Sequence, residues 1–352
     1  MKAERLRARR RLTADTITLA HGAGGKAMHD LIDDLFAGEF DSAELAGRED
    51  QARLEIDALR QTGARLAFTT DSYVVDPLFF PGGDIGALAV NGTVNDLAVG
   101  GAQPLYLSCG MILEEGLPLA TLRQVVMSMK KAADRAGVAI VTGDTKVVPR
   151  GSADKLFINT AGVGVIPPGR EPGAGRARPG DVILINGPIG DHGAAIVDAR
   201  GELALENSIE SDCQALNGLV EALFAACPDV RCLRDATRGG LATVLNEFAA
   251  ASSTAMRIDE QALPVREQVR GVCELLGLDP LYLANEGKLV AVVPPESADR
   301  ALAALRSHPA GRDAAIIGEV RDAPAGTVVL ATAFGGDRLV DMLVGEQLPR
   351  IC

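Results

Sequence analysis

The chain has 352 residues, 47% of them hydrophobic, and a formal net charge of −12. Such a length suits two domains of roughly 100–200 residues each, and such a charge excludes a broad polyphosphate surface as partner. Aromatic residues make up 3% with no Trp, which removes the stacking platforms that single-stranded nucleic acid requires.

The first segment carries Arg5, Arg7 and the run Arg9-Arg10-Arg11 and reads as a disordered basic extension over 1–16. Leu12–Ala20 is broken by Thr13, Asp15, Thr16 and Thr18, so it is no signal-peptide core. No apolar run approaches the roughly 20 residues that span a bilayer. Met28, Leu31, Ile32, Leu35 and Phe36 recur at helical spacing. Strands are expected over Arg65–Thr70, Pro104–Leu113, Gly137–Thr142 and Lys155–Ile166, alternating with helices over Asp84–Val99 and Thr121–Ala136. Pro167–Gly180 is dense in Pro and Gly and reads as a linker. Beyond it, strands are expected over Asp181–Ile185, Lys288–Val293, Ala314–Val320 and Thr327–Ala331. Helices are expected over Ser208–Ala226, Gly239–Ala251 and Val265–Leu276. Both halves are thus mixed α and β, an α/β (α+β) chain with domains over 17–170 and 171–344. The end, 345–352, reads as a mobile tail; at roughly 3.3–3.6 Å per residue it could reach roughly 30 Å.

The tail ends in Pro349-Arg350-Ile351-Cys352. The other cysteines are Cys109, Cys213, Cys227, Cys232 and Cys273, and no C-x-x-C occurs among the six. That spacing gives no zinc site and suits buried thiols in a reducing cytoplasm. Cys352 alone is unusual by position: at a chain terminus a thiol can be moved and presented like a substrate.

Carboxylates placed just past apolar strands form the strongest pattern. Asp71 follows Phe68-Thr69-Thr70, and Asp144 follows Ile140-Val141-Thr142-Gly143. Asn95-Asp96 interrupts an Ala/Gly/Val-rich segment, and Asp50 lies in Glu49-Asp50-Gln51. Such carboxylates suit Mg²⁺, which takes one or two and shares phosphate oxygens. His21-Gly22-Ala23-Gly24-Gly25-Lys26 precedes a helix, so its amides could meet phosphate, although it is no Walker A loop. Two further clusters are Arg234-Asp235-Ala236-Thr237-Arg238-Gly239-Gly240 and Asn285-Glu286-Gly287-Lys288. A buried Glu286 suits a general base, since burial raises a carboxyl pKa; its alternative is a solvated turn. His192, in Gly190-Asp191-His192-Gly193, is a base or a structural residue.

Taken together, Thr69-Thr70-Asp71-Ser72, Asn95-Asp96, Thr142-Gly143-Asp144 and Asp235–Gly240 resemble the ATP-binding superfamily of aminoimidazole ribonucleotide synthetase, selenophosphate synthetase and thiamine-phosphate kinase. With His21–Gly25, Thr70–Pro77, Val141–Val148, Gly190–Gly193, Asn285–Lys288 and the Pro-Arg-Ile-Cys ending, the chain from about Ile17 onward is similar to the HypE family of hydrogenase maturation proteins. The resemblance implies two PurM-like domains, the first a ferredoxin-like half-barrel that forms a homodimer. It implies that a HypF-type carbamoyltransferase loads Cys352 with a carbamoyl group. The chain then uses ATP to dehydrate this thiocarboxamide to a thiocyanate. The cyano group passes to iron on a HypC–HypD-type complex, for the nickel–iron hydrogenase. It further implies ATP and phosphate contacts from His21, Gly22, Gly24, Gly25, Asp71, Asn95, Asp96, Thr142, Gly143, Asp144 and Asp235. Mg²⁺ would lie on Asp71, Asp96 and Asp144, with Asp50 and Asp235 as further carboxylates. Lys146 and Glu286 would serve the carbamoyl end. The alternatives are a small-molecule kinase or synthetase of the same superfamily, and a non-catalytic scaffold that docks a partner by its tail.

Overall fold

The computed structural model describes every residue except 1–11, 13, 24, 47–50, 202–208 and 346–347. Most of the expected basic extension, Gly24 and Asp50 lie outside the described residues. Four strands build the first sheet: β1 (Arg65–Tyr73), β2 (Gln103–Glu114), β3 (Ala139–Val148) and β4 (Leu156–Ile166), in the order β1-β4-β2-β3. β4 runs antiparallel to β1 and to β2. The parallel β2–β3 pair needs a crossover, and α2 (Leu119–Ala136) supplies it. α2 turns Leu122, Val125, Val126 and Met129 inward and ends at Gly137, whose φ of 71° suits a residue without a Cβ.

Helix α1 (Ile85–Val99) carries apolar residues on all sides, and every residue in it except Asp96 is buried. Such a helix has to be enclosed. It lies between the sheet, α2 and two elements of the second half, α4 (Asn217–Ala226) and β6 (Cys232–Asp235). Small residues permit the approach: a Cβ on Gly92 would run into the Tyr73 hydroxyl. The other sheet face is open. Leu66 and Phe68 are 63% and 69% exposed there, and Ile112 is 43% exposed.

The second half forms a seven-stranded sheet. Its strands are β5 (Val182–Ile185), β6, β7 (Ala255–Asp259), β8 (Leu289–Val293), β9 (Ala315–Arg321), β10 (Thr327–Ala331) and β11 (Asp337–Leu339). Their order is β11-β10-β7-β9-β5-β8-β6, antiparallel except for β10–β7. Alternate residues feed two cores. Ile183, Ile185, Val290 and Val292 meet α5 (Gly240–Ser252). Leu184, Leu289, Ala291 and Val293 meet α4 and α7 (Ala298–Ser307). Two further helices, α3 (Asp191–Ala199) and α6 (Glu267–Leu276), share a smaller core.

Two expectations change. The helix expected over Ser208–Ala226 starts only at Asn217, because the polar groups before it bond elsewhere: Ser211 N donates to the Pro81 carbonyl and Gln214 N to that of Glu286. The tail is docked, as described below. Among the described residues, no helix is long and apolar enough to cross a membrane. Gly92→Ala is expected to destabilise the fold by about 1–3 kcal/mol through overpacking, read as a lower denaturant midpoint at unchanged slope.

Candidate active site

Asp71 and Asp144 lie within longer strands than the sequence suggests, and Asp96 lies in a helix. Along β1, exposed Leu66, Phe68, Thr70 and Ser72 alternate with Ala67, Thr69, Asp71 and Tyr73, which face α1. Thr69 Oγ1 donates to Asp96 across this side at 3.0 Å. Burial first, and then Asp71, raise the Asp96 pKa. Asp235, at the end of β6, is pushed up to about 7 by burial and by its neighbours Asp96 and Asp71. A cavity of about 540 Å³ opens here, lined by Thr69, Asp96, Asp235 and Arg238 among others.

Glu286 belongs to the loop before β8. Asn285 fixes that loop: its Oδ1 accepts from Gly190 N at 2.8 Å, and its Nδ2 donates to the Ala236 carbonyl at 2.7 Å. Asp212 supports it from below. Its carboxylate accepts from Glu286 N at 3.0 Å, Gly287 N at 3.1 Å and Lys288 Nζ at 2.8 Å. Burial opposes ionisation of Asp212, yet Lys288 and these hydrogen bonds hold its pKa below the usual range. Glu286 is 3% exposed and its Oε1 has no hydrogen-bond partner. Burial, then Asp212, Asp235 and Asp71, raise its carboxyl well above the usual range, and Arg238 partly offsets them.

The tail docks beside this cluster. Val74 N donates to the Cys352 carbonyl oxygen at 3.0 Å, and Arg350 Nε donates to the Val74 carbonyl at 3.0 Å. Arg200 donates to the carbonyls of Pro349 and Arg350, and His192 Nε2 lies 2.7 Å from that of Ile351. Arg350 also pairs with Asp154. Ile351 is buried and Cys352 half-buried. Arg238 lines both the carboxylate cavity and the one that holds Ile351. Tyr73, next to Val74, feels the charge of Glu286. These contacts replace the free tail expected from sequence.

Other expected residues stand apart within one chain. Asp144 pairs with Lys146 at 2.8 Å, and both are exposed on the open sheet face. That Lys146 bond holds the Asp144 pKa down. β3 and β1 are opposite edges, so three strand spacings, roughly 14 Å, separate this pair from the strand that carries Asp71. Thr142 and Gly143 lie on β3 with them. His21 is buried, its Nδ1 accepting from Thr18 N at 3.0 Å, and Gly22 packs on Val147. Gly25 caps the helix Lys26–Leu31. Asn95 spends its amide on the second half: Nδ2 donates to the Gln214 carbonyl at 3.0 Å and Oδ1 accepts from Leu216 N at 2.7 Å. Among the described residues, no three His, Cys, Asp or Glu side chains gather closely enough to hold a metal ion by themselves. Asp212 and Arg200 were missed in the sequence; Asp212 lies in the polar run Asn207–Gln214, where nothing local sets it apart.

A twin of α/β halves with a carboxylate cleft between them matches known proteins. Residues 48–166 and 178–331 match the N-terminal and C-terminal domains of "AIR synthase related protein". The chain is 60% identical over 341 residues to carbamoyl dehydratase HypE of Rhodobacter capsulatus, covering 97% of this chain and 99% of that one. It is 56% identical over 338 residues to carbamoyl dehydratase HypE of Escherichia coli K12, covering 96% and 100%. A crystal structure of the hydrogenase maturation protein HypE in complex with ATP superposes with a TM-score of 0.91 at 55% identity, covering 96% of this chain and 100% of that one. One of a HypE–HypF complex gives 0.77 at 48% identity, covering 89% and 99%. The chain belongs to the AIR synthase related family and, within it, to the HypE hydrogenase maturation proteins.

Asp212→Asn is expected to cost about 3–5 kcal/mol, because it leaves Lys288 charged, buried and unpaired. Asp212→Asn with Lys288→Met should recover most of that loss. Since the Asp212 pKa is lowered in the fold, its stabilisation is present above the ordinary carboxylate range and lost as pH falls through the folded pKa. Thermal melts between neutral and acid pH should show this slope in the parent and a flatter one in Asp212→Asn.

Proposed function

We propose that this chain dehydrates a carbamoyl group carried on its own Cys352, using ATP, and so makes the cyano ligands of nickel–iron hydrogenase. The observation that carries this reading is the docked tail, bonded to Val74 at the end of the strand of Asp71, where the charge of the buried Glu286, whose Oε1 lacks a hydrogen-bond partner, also reaches Tyr73. The relatives named carbamoyl dehydratase, and the HypE structure in complex with ATP, support it.

An amide oxygen is a poor leaving group. Transfer of the γ-phosphoryl group of ATP to the carbonyl oxygen of Cys352–S–C(=O)–NH₂ converts it to phosphate. Loss of both N–H protons and departure of phosphate then leave Cys352–S–C≡N, with ADP as the other product. Asp71, Asp96 and Asp235 are the residues that would hold magnesium, shared with phosphate oxygens as this small hard cation prefers. The raised pKa values of Asp96 and Asp235 fit such a site, since they report negative charge that a cation would relieve. Bound there, the cation supplies charge neutralisation at the transferring phosphoryl group. Arg238 reaches the same space from the tail side. Burial and the neighbouring carboxylates keep Glu286 protonated at rest; positive charge at the site would let it release that proton to solvent, and the resulting carboxylate takes one N–H proton.

The open sheet face of Leu66, Phe68 and Ile112 is assigned to a second copy of the chain, making a homodimer. That places Asp144 and Lys146 at the interface, where Lys146 would steady the amide oxygen or phosphate. The carbamoyl donor is a HypF-type transferase, in line with the HypE–HypF structure. The acceptor is iron on a HypC–HypD-type complex.

Intact-mass measurement tests the reaction. With the carbamoylating partner the chain should gain a carbamoyl adduct, and with MgATP that adduct should lose one water. Cys352→Ser should gain nothing; an adduct on that variant would sink the carrier reading. Glu286→Gln should keep the adduct and fail to lose water. Its melting temperature should match the parent's at acid pH and increasingly exceed it as pH rises above the ordinary carboxylate range, because there the unfolded chain ionises Glu286 while the fold, with its raised pKa, keeps the proton. Phe68→Asp should turn the dimer into monomers in sedimentation velocity, and an unchanged dimer would refute the face assignment.

A further inference from the structure

We infer that His192 is a positioning residue that latches the substrate tail, and that Ser211 sets its hydrogen bond. This rests on Cys352 being the carrier. His192 is fully buried in the first turn of α3. The Ile351 carbonyl, 2.7 Å from Nε2, can only accept, so Nε2 carries the proton. Nδ1 of the neutral ring is then an acceptor, and Ser211 Oγ donates to it at 2.8 Å. Ser211 Oγ in turn accepts from Cys213 N at 3.1 Å. The ring stands edge-on to Phe80 at 5.5 Å between centroids, which fixes its plane. A directed chain thus runs from Cys213 N–H through Ser211 and His192 to the tail.

The other bonds to the tail's main-chain oxygens come from Arg200, whose contacts with Pro349 and Arg350 are exposed or half-buried, and from the backbone N–H groups of Val74 and Asp76. The His192 bond is buried, so water competes for it least. The loop that orients His192 is also the loop of Asp212, which holds the backbone of Glu286. Docking of the tail and alignment of the acid therefore share one three-residue support, Ser211 to Cys213.

The test uses the full chain. The rate of iodoacetamide alkylation at Cys352, followed on the tail peptide by mass spectrometry, reads docking without any chemistry. Single-turnover dehydration of the carbamoylated chain reads positioning. His192→Leu should speed alkylation several-fold and slow dehydration by a similar factor, with carbamoylation by the partner undiminished. His192→Gln, which keeps an N–H at similar reach, should recover both in part. Ser211→Ala should fall between, since the ring proton is then free to move to Nδ1; it carries the test if His192→Leu fails to fold. Parental rates of alkylation in Ser211→Ala and in any folded His192→Leu would overturn the latch. Faster alkylation with unchanged dehydration would overturn the positioning role. Faster alkylation in the variants, beside a carbamoylated parent chain that never dehydrates, would uphold the latch and fail the carrier reading instead.

Discussion

Glu286 keeps one carboxyl oxygen without a partner in a place already crowded by Asp71, Asp235 and Asp212. Like charges out of water are costly to gather, so the fold has to enforce the arrangement from all sides. Asp212 does so by accepting three donors from consecutive residues. Gly287 does so by having no Cβ to meet the Asp212 carbonyl. Asn285 ties the same loop to Gly190 and Ala236. The same neighbourhood makes Glu286 reluctant to ionise, so its charge state responds to any change in the charge around it.

The carboxylates of this site come from both sides of the molecule, so the seam between the halves sets the geometry. Asp71 and Asp96 belong to the first half, Asp235 and Glu286 to the second. The segment 211–216 crosses between them: Ser211 bonds Pro81, Gln214 and Leu216 bond Asn95, and Asp212 holds Glu286. Asn95 thus works as a rivet of the seam. Packing of the almost wholly buried α1 against both halves makes the same alignment stiff.

Much of the layout could be read from the sequence, because strands, helices, linker and the terminal thiol announce themselves by local pattern. What was lost is long-range. Asp144 looked like a partner of Asp71, yet the register of β3 against β2 slips between Leu107 and Ser108. Ile140 faces the core, whereas Thr142, Asp144 and Lys146 face the open side. A slip of one residue exchanges the faces of a strand, and no local pattern announces it. Asp212 was hidden in a run read as helix, since its three donors come from a loop more than seventy positions away. The docking of the tail was invisible for the same reason: its partners include Val74, Asp76, Asp154, Arg200 and His192.

The cleft grips the tail mostly by main-chain oxygens, those of Pro349, Arg350, Ile351 and Cys352. On the proposed reaction, none of these atoms changes as the sulfur passes from thiol to carbamoyl to cyano. The grip is therefore indifferent to cargo: an empty arm, a loaded arm and a finished arm seat alike. Directionality then cannot come from the seat. It has to come from the chemistry at the nucleotide and from the proteins waiting outside, which compete for an arm that returns to the same cradle at every stage.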